Sequence, residues 1–354
     1  MTERQGVVEC IAAACVVYVL FGYLSHTTTT ASTINISPER AILLQAGTMP
    51  SYFKAKEALL TPVRNQLGCA SCWAFSVCEM LADTVSLACG GTWKEHLAPQ
   101  YLLSCTNVHY GCKLGGSPED VYSIPELTLQ GIPLEKDMPY VHSVTTCPTV
   151  PQNAMRIRTV ANTGIDICVD PATALPGFRQ AIINKNIVNM KRALLQYGPI
   201  CATLRITREL YDYKGDCIYV ENPDSPTLGE HCVCLYGWSD KNANTHEPGF
   251  DESYWIIKNS YSTAWAGLLY GFAYIKMGCN NAQIESRASV CEVQIPEFLK
   301  ADSAKHNVWD SYYTSYGEYA SDKNKQNFVD ADRKRFLDDL HKARVASQKK
   351  IHPF

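Results

Sequence analysis

One cysteine among sixteen lies in a context that suits nucleophilic chemistry. Cys72 follows a loop that contains Pro62 and Gly68, and the stretch from Trp73 to Leu87 contains neither proline nor glycine. The spacing of apolar residues in that stretch predicts a helix with Cys72 at its amino terminus. Unpaired backbone N–H groups and the positive end of the helix dipole stabilise a thiolate there. Because the thiolate is the nucleophilic form of cysteine, this position predicts a catalytic role.

The residues just before Cys72 admit three interpretations. Gln66 can fold back as an amide donor and form an oxyanion hole with the Cys72 backbone N–H. Alternatively, Cys69 and Cys72 could be half of a zinc site completed by residues 231–234, although that cluster lacks the standard ligand spacing. The two cysteines could also be a thioredoxin-type redox pair, although no early strand and βαβ pattern surrounds them.

The segment around Cys72 resembles the active-site segment of the papain family, which includes papain and the cathepsins. The family signature is a Gln followed by Gly-Cys-Gly-Ser-Cys-Trp-Ala-Phe, and residues 66–75 match it with Ala70 in place of one Gly. Residues 229–238 resemble the family's histidine block, and residues 253–260 resemble its Tyr-Trp-x-x-Lys-Asn-Ser block. Three blocks in the family's order argue against a chance match.

The resemblance implies a fold and a full set of catalytic roles. The expected fold is α+β and two-lobed, with a helical left lobe, a β-barrel-like right lobe and the site between them. His231 would be the general acid/base for Cys72, and Asn259 would orient its ring by accepting from a ring N–H. Thiolate attack would give a thioester acyl-enzyme that water releases, a reaction that needs neither a cofactor nor a metal.

The expected activity is that of a cysteine endopeptidase acting on proteins or peptides. Between Gly116 and Cys147 there is no long Cys- and His-rich insertion of the kind that makes cathepsin B trim dipeptides. A rival hypothesis is a catalytically inactive papain-like domain that serves as a binding module, since a fold alone does not establish a function. Tyr261 keeps this rival open, because the family places a Trp there to shield the Asn–His pair.

Residues for substrate binding are also carried over from the family. Two consecutive glycines would leave backbone exposed for pairing with an extended substrate. An arginine at the floor of the main specificity pocket would favour an acidic or polar side chain, unless it points to solvent or pairs with Glu230 or Glu285. The predicted substrate-binding residues are Gly115, Gly116, Pro118, Glu230 and Arg287.

The resemblance implies two disulfides and casts doubt on a third. The third family disulfide is absent or rerouted, because Ala282 and Gln283 stand where the family carries Cys-Gly. A bridge between Cys217 and Cys279 is one alternative. The two predicted disulfides are Cys69–Cys112 and Cys105–Cys147.

Bulk composition bounds the setting of the protein. A net charge of -3 gives no reason to expect a nucleic acid partner. Sixteen cysteines are many for a chain kept reduced in the cytosol, so an exported domain in the secretory pathway or outside the cell is expected. Residues 7–24 are apolar except for Glu9 and predict either an uncleaved membrane anchor or a cleaved signal peptide.

The chain divides into three predicted regions. Residues 1–48 hold the apolar segment and a Thr-rich stalk, and residues 49–293 form the peptidase domain. Residues 294–354 are predicted to be a tail, with a polar tether over 301–325 and an amphipathic helix over 328–345. Self-docking of this tail onto the domain is a further hypothesis, in which its removal would raise activity.

Overall fold

The computed structural model describes residues 49–107, 111–241 and 252–326. These ranges contain seven short 3-10 helices, at Glu57–Leu59, Pro171–Thr173, Pro176–Phe178, Gly267–Leu269, Asn281–Gln283, Glu297–Leu299 and Val308–Ser311. The helices are α1 (Cys72–Ala88), α2 (Pro99–Cys105), α3 (Gly111–Leu114), α4 (Pro118–Tyr122), α5 (Pro125–Leu129), α6 (Arg179–Tyr197), α7 (Arg208–Tyr211), α8 (Lys300–Lys305) and α9 (Tyr316–Gln326).

Helix α1 is the central element of the helical lobe. It begins at Cys72 and is almost wholly buried, which agrees with the predicted helix and with its position between α2, α4 and β-strands of the other lobe. The helix ends in a Schellman arrangement, because Gly90 takes a φ of 62° that favours glycine. The N–H of Gly91 then bonds to the carbonyl of Ser86 at 2.9 Å.

The strands form one sheet of eight and one of three, all antiparallel. The strands are β1 (Tyr52–Ala55), β2 (Ile132–Pro133), β3 (Arg156–Thr159), β4 (Ile165–Asp166), β5 (Ile200–Thr207), β6 (Thr227–Ser239), β7 (Tyr254–Lys258), β8 (Phe272–Lys276), β9 (Arg287–Val290), β10 (Val293–Gln294) and β11 (Tyr312–Tyr313). The large sheet runs β11-β1-β6-β5-β9-β4, and β7 pairs with both β6 and β8; the small sheet runs β10-β3-β2.

The α+β fold agrees with the prediction, with one change in the sheet lobe. In the described part of the chain the large sheet is open and branched rather than a closed barrel. The branch arises at β6, whose thirteen residues pair with β5 along one part and with β1 and β7 along the other. A strand of that length can pair with different neighbours along its two halves. His231 lies near the start of this strand.

The prediction of a polar tether over 301–325 is wrong. Strand β11 pairs with β1, and the buried Ser311 donates a hydrogen bond to the carbonyl of Leu87 in α1 at 2.7 Å. Tyr312 stacks on Phe53 with ring centroids 4.5 Å apart. The tyrosines that made the segment look polar bury their rings against the domain, since a tyrosine combines an apolar body with a polar tip.

No helix within the three described ranges is long and apolar enough to cross a bilayer. The apolar segment at 7–24 and the predicted tail helix at 328–345 lie outside the described residues.

Candidate active site

The candidate nucleophile lies at the junction of a braced loop and α1. Cys72 is the first residue of α1 and is 9% exposed. A disulfide joins Cys69 to Cys112, and the N–H of Ala70 bonds to the carbonyl of Cys112 at 2.9 Å. Ser71 contacts the hydroxyl of Tyr140 at 2.7 Å. These contacts fix the turn that presents the Cys72 sulfur at the helix amino terminus.

His231 and Asn259 come together from two neighbouring strands. Asn259 directly follows β7, which pairs with β6, and its Oδ1 lies 2.7 Å from Nε2 of His231. Because an amide oxygen only accepts hydrogen bonds, Nε2 carries the ring hydrogen in the neutral ring. The backbone N–H of Ser260 donates to the same oxygen at 2.7 Å and fixes the amide orientation. This tautomer leaves Nδ1 of His231 for proton exchange with Cys72.

Tyr261 covers the histidine ring. The two rings stack with centroids 4.6 Å apart and planes 27° from parallel. The Tyr261 hydroxyl lies 3.3 Å from Nδ1 of His231. Trp265 and Tyr211 pack against the outer side of Tyr261, at centroid distances of 6.0 and 5.7 Å. The position therefore keeps an aromatic cover, but it adds a hydroxyl beside Nδ1 of His231.

The side chain of Gln66 is buried and held at both ends of its amide. Its Nε2 donates to the carbonyl of Cys69 at 2.9 Å, and its Oε1 accepts from the hydroxyl of Ser260 at 2.6 Å. The backbone N–H of Gln66 also bonds to the carbonyl of Ser260 at 2.8 Å. An amide nitrogen has two hydrogens, so one remains beyond the bond to Cys69.

The Cys72 thiol has a strongly lowered pKa. The first cause is a hydrogen bond from the Cys232 thiol, and His231 adds a hydrogen bond and a favourable charge, while burial opposes the shift. The pKa of Cys232 lies well above its ordinary value, because its thiol hydrogen-bonds to Cys72 and because it is buried. Cys72 is therefore the sulfur of this pair that ionises, and Cys232 is the one that keeps its proton.

A buried ion cluster connects α1 to β7. Lys258 precedes Asn259, and its Nζ lies 3.0 Å from a carboxylate oxygen of Asp83 and 3.9 Å from one of Glu79, both on α1. The same Nζ donates to the carbonyl of Thr61 at 2.8 Å. All three charged side chains are nearly inaccessible to solvent. The cluster thus fixes the helix of Cys72 relative to the strand of Asn259.

The predicted substrate-binding residues lie in two places. Gly115 has a φ of 75°, and a Cβ there would approach the carbonyl oxygen of Ala70 to 3.1 Å, so the glycine is required by both conformation and space. Gly116 follows it and is partly exposed, and the buried Pro118 is the first residue of α4. Glu230 lies on β6 directly before His231.

Arg287 does not present a free positive charge. Its guanidinium lies 2.9 Å from a carboxylate oxygen of Glu230 and 3.8 Å from one of Glu119. Of the alternatives that the sequence left open, pairing with Glu230 is the one found. Glu285 is buried and accepts from Trp255 and from backbone N–H groups instead. A cavity of about 570 Å³ begins beside Glu119 and extends to Leu129 and Asp166, without lining by Cys72 or His231.

The cysteine pairings resolve two sequence alternatives. Cys69–Cys112 and Cys105–Cys147 are both bridged, as the resemblance implied. A cysteine held in a disulfide cannot act as a zinc thiolate, so the zinc interpretation of Cys69 with Cys72 is wrong. The pairing of Cys69 with Cys112 also removes the redox pair with Cys72. Cys217 and Cys279 are both exposed and no disulfide joins them, so the rerouted third bridge is not formed.

Sequence reasoning missed the contact between Cys232 and Cys72. The signal was present, because Cys232 directly follows the candidate base and would lie on the strand that faces α1. The sequence pattern suggests a role for it as a possible metal ligand within residues 231–234 or beside the specificity pocket, and not as a partner of Cys72. A reactive cysteine with a second thiol beside its base is a distinct arrangement, and only the packing of β6 on α1 reveals it.

A model of the papain family of cysteine proteases matches residues 49–292. That match covers more than half of the chain, and the chain belongs to this family. It is similar to the cathepsin B-like cysteine proteinase 3 of Caenorhabditis elegans, with 28% identity over 257 residues that cover 67% of this chain and 64% of that protein. It is also similar to pro-cathepsin H of Mus musculus, with 27% identity over 242 residues covering 67% and 62%. The chain thus spans a little under two-thirds of the length of these relatives.

The fold is also that of a solved procathepsin. The structure of proCathepsin B S9 from Trypanosoma congolense matches with a TM-score of 0.56 and 20% identity, covering 76% of this chain and 84% of that one. At this identity the likeness concerns the fold alone.

Proposed function

We propose that the protein is an active cysteine endopeptidase that cleaves peptide bonds through a thioester on Cys72. The observation that carries this proposal is the hydrogen bond between His231 Nε2 and Asn259 at 2.7 Å, in a ring that also contacts Cys72. That bond aims the other ring nitrogen at a thiol whose pKa is lowered. These are the features that nucleophilic catalysis by cysteine requires.

The acylation step follows from these positions. The Cys72 thiolate attacks the peptide carbonyl carbon, and the carbonyl oxygen becomes an oxyanion. The Cys72 backbone N–H and the remaining Nε2 hydrogen of Gln66 donate to that oxyanion. The C–N bond then breaks while Nδ1 of His231 gives its proton to the leaving amine, which leaves a thioester on Cys72.

Deacylation uses the same groups in reverse order. Nδ1 of His231 takes a proton from a water molecule, and the oxygen of that water attacks the thioester carbonyl. The tetrahedral intermediate collapses with Cys72 as the leaving thiolate, and a carboxylic acid is released. Asn259 keeps the ring orientation through both steps by holding Nε2–H.

Substrate binding is assigned to the cleft edge at Gly115 and Gly116, where extended peptide backbone would pair. Because the charge of Arg287 is offset by Glu230 and Glu119, we expect no preference for acidic side chains in the substrate. The two disulfides favour an exported domain, and residues 7–24 remain proposed as its signal or membrane anchor.

Labelling with a thiol-directed epoxide tests this function against the inactive binding module. The module is favoured by one observation, the Tyr261 hydroxyl 3.3 Å from Nδ1 of His231. An active enzyme gives one stoichiometric adduct on Cys72, lost in Cys72→Ala and strongly slowed in His231→Ala. Equal labelling rates for the wild type and His231→Ala, with no peptide hydrolysis, would support the module.

A further inference from the structure

Strand β6 turns a pair of thiols toward the start of α1. Cys232 and Cys234 share one face of the strand because they are two residues apart. The thiol of Cys234 donates to the carbonyl oxygen of Ser76 at 3.0 Å. Ser76 lies one helical turn after Cys72, about 6 Å along α1. Tyr236, the next residue on that face, donates to Asp83 further along α1, so the strand and the helix run in the same direction. Since residues two apart on a strand are separated by about 7 Å, Cys232 falls beside Cys72.

Cys72 and Cys232 lie in an enclosed place between α1 and β6. A hydrogen bond from the Cys232 thiol is the first cause of the lowered pKa of Cys72, and the hydroxyl of Thr203 lies 3.5 Å from the Cys232 sulfur. Cys232 is 5% exposed, and Cys72, the first residue of α1, is 9% exposed. The two sulfurs have different roles in thiol chemistry. The Cys72 sulfur is ionised and attacks, whereas the Cys232 sulfur stays protonated until it forms a bond.

We propose that Cys72 and Cys232 form an oxidative modification site, which a peroxide closes into a reversible disulfide. The inference rests on the proposed function only in taking Cys72 to be a reactive thiolate. Four of the described cysteines are already bridged, and Cys234 is turned to Ser76.

The chemistry balances with hydrogen peroxide as the oxidant. The Cys72 thiolate attacks one peroxide oxygen, the O–O bond breaks, and the hydroxide released takes up a proton to become water, which leaves a sulfenic acid on Cys72. The Cys232 sulfur then attacks the Cys72 sulfur, the S–O bond breaks, and the hydroxyl group leaves as water with the Cys232 proton. Two thiols are oxidised by two electrons and the peroxide is reduced to two waters.

Closure of the disulfide has two consequences. It removes the nucleophile and so stops peptide hydrolysis. It also withdraws the sulfenic acid before a second peroxide converts it to the sulfinic acid, which thiols do not reduce. A dithiol reductant restores both sulfurs by exchange.

Mass spectrometry of the full chain after exposure to hydrogen peroxide tests the site. The wild type is expected to lose about 2 Da, and a non-reducing digest joins the peptides of Cys72 and Cys232. Dithiothreitol then restores the mass and the epoxide labelling of Cys72. Cys232→Ala is expected to gain two oxygen atoms on Cys72 instead, without recovery. Cys234→Ala, which alters a buried thiol on the same strand face, is expected to behave as the wild type.

A wild type that gains oxygen on Cys72 at the rate of Cys232→Ala, with no joined peptides, would overturn the proposal. Thermal unfolding of each variant shows whether it is folded, and Cys232→Ser serves as a second variant if the alanine form is not. The mass readout is independent of peptidase activity. A disulfide in a protein without peptidase activity therefore contradicts only the function, and activity without a disulfide contradicts only the modification site.

Discussion

At the scale of single residues, the surroundings of Cys72 come from both lobes. The helical lobe supplies the helix terminus and the loop of Gln66, and the sheet lobe supplies His231 and Cys232 from one strand. Cys232 and His231 thus both favour the Cys72 thiolate by hydrogen bonds. Their contributions to the lowered pKa can be separated by replacing one of the two side chains at a time.

Replacing Cys232 with Ala is expected to raise the pKa of Cys72. A hydrogen bond to a charged group contributes about 1.5–3 kcal/mol, and one pKa unit corresponds to about 1.4 kcal/mol. A higher pKa leaves less thiolate at a given pH, so the acidic limb of the rate of iodoacetamide alkylation moves up by about one pH unit. Cys234→Ala is the matched control, and an unchanged limb in Cys232→Ala would contradict the contact.

Tyr261 is expected to act through its ring more than through its hydroxyl. Tyr261→Phe keeps the stack on His231 and should change the epoxide labelling rate by no more than about threefold. Tyr261→Ala opens the Asn259–His231 hydrogen bond to water. Weakening that bond by about 1 kcal/mol corresponds to a labelling rate that is lower by roughly fivefold or more. If Phe raises the rate tenfold or more, the hydroxyl inhibits the native site by competing for Nδ1.

The local positions of these residues could be predicted from sequence, but their cross-strand contacts could not. The helix start at Cys72 follows from the lack of proline and glycine downstream, and the strand of His231 follows from its apolar run. The pairing of Arg287 with Glu230 depends on two strand registers. Thr203 on β5 lies opposite Arg287 of β9 on one side and opposite Cys232 of β6 on the other. Such registers join segments far apart in the chain, so no local pattern encodes them.

At the scale of elements, the buried ion cluster is the link between α1 and β7. The sequence pattern placed Lys258 within a block that resembles the family's, but it gave no partner for the lysine. Asp83 also accepts a hydrogen bond from the hydroxyl of Tyr236 on β6. An ion cluster without solvent requires that each charge be compensated, so its members act as a unit.

Lys258→Met is expected to lower the free energy of unfolding by about 3–5 kcal/mol. Asp83 would stay buried without its cation, and Glu79 would keep Arg64, whose Nε lies 3.8 Å from its carboxylate. Urea unfolding of the purified protein measures this loss. Lys276→Met on the neighbouring strand β8 is the control, since that lysine is 29% exposed and its loss should cost less than about 1 kcal/mol. Equal losses in the two variants would show that the cluster adds nothing.

At the scale of the whole molecule, residues 294–326 belong to the fold. Composition alone predicted a tether, since tyrosine, serine and aspartate are common in solvated segments. The pairing of β11 with β1 and the contact of Ser311 with α1 show that the ordering of this segment depends on partners more than 200 residues away. The described part of the tail therefore extends the sheet lobe on the β1 side of β6.

Truncation after Gln294 is accordingly expected to destabilise the domain instead of activating it. It removes the edge strand β11 and leaves the rings of Tyr52 and Phe53 exposed, which costs several kcal/mol at about 25 cal/mol per Å² of apolar surface. A chain that ends at Gln326 keeps these contacts and should unfold at a higher temperature than the chain that ends at Gln294. Higher peptidase activity with an unchanged melting temperature in the shorter chain would instead support an inhibitory tail.

The central claim is that Cys72 carries an acyl group during turnover. Rapid acid quenching of the reaction with an activated peptide ester, followed by peptide mapping by mass spectrometry, measures that group directly. We expect a thioester on Cys72 that forms and decays with turnover, is absent in Cys72→Ala, and forms far more slowly in His231→Ala. Hydrolysis that persists in Cys72→Ala, or an acyl group on any other residue, would contradict it.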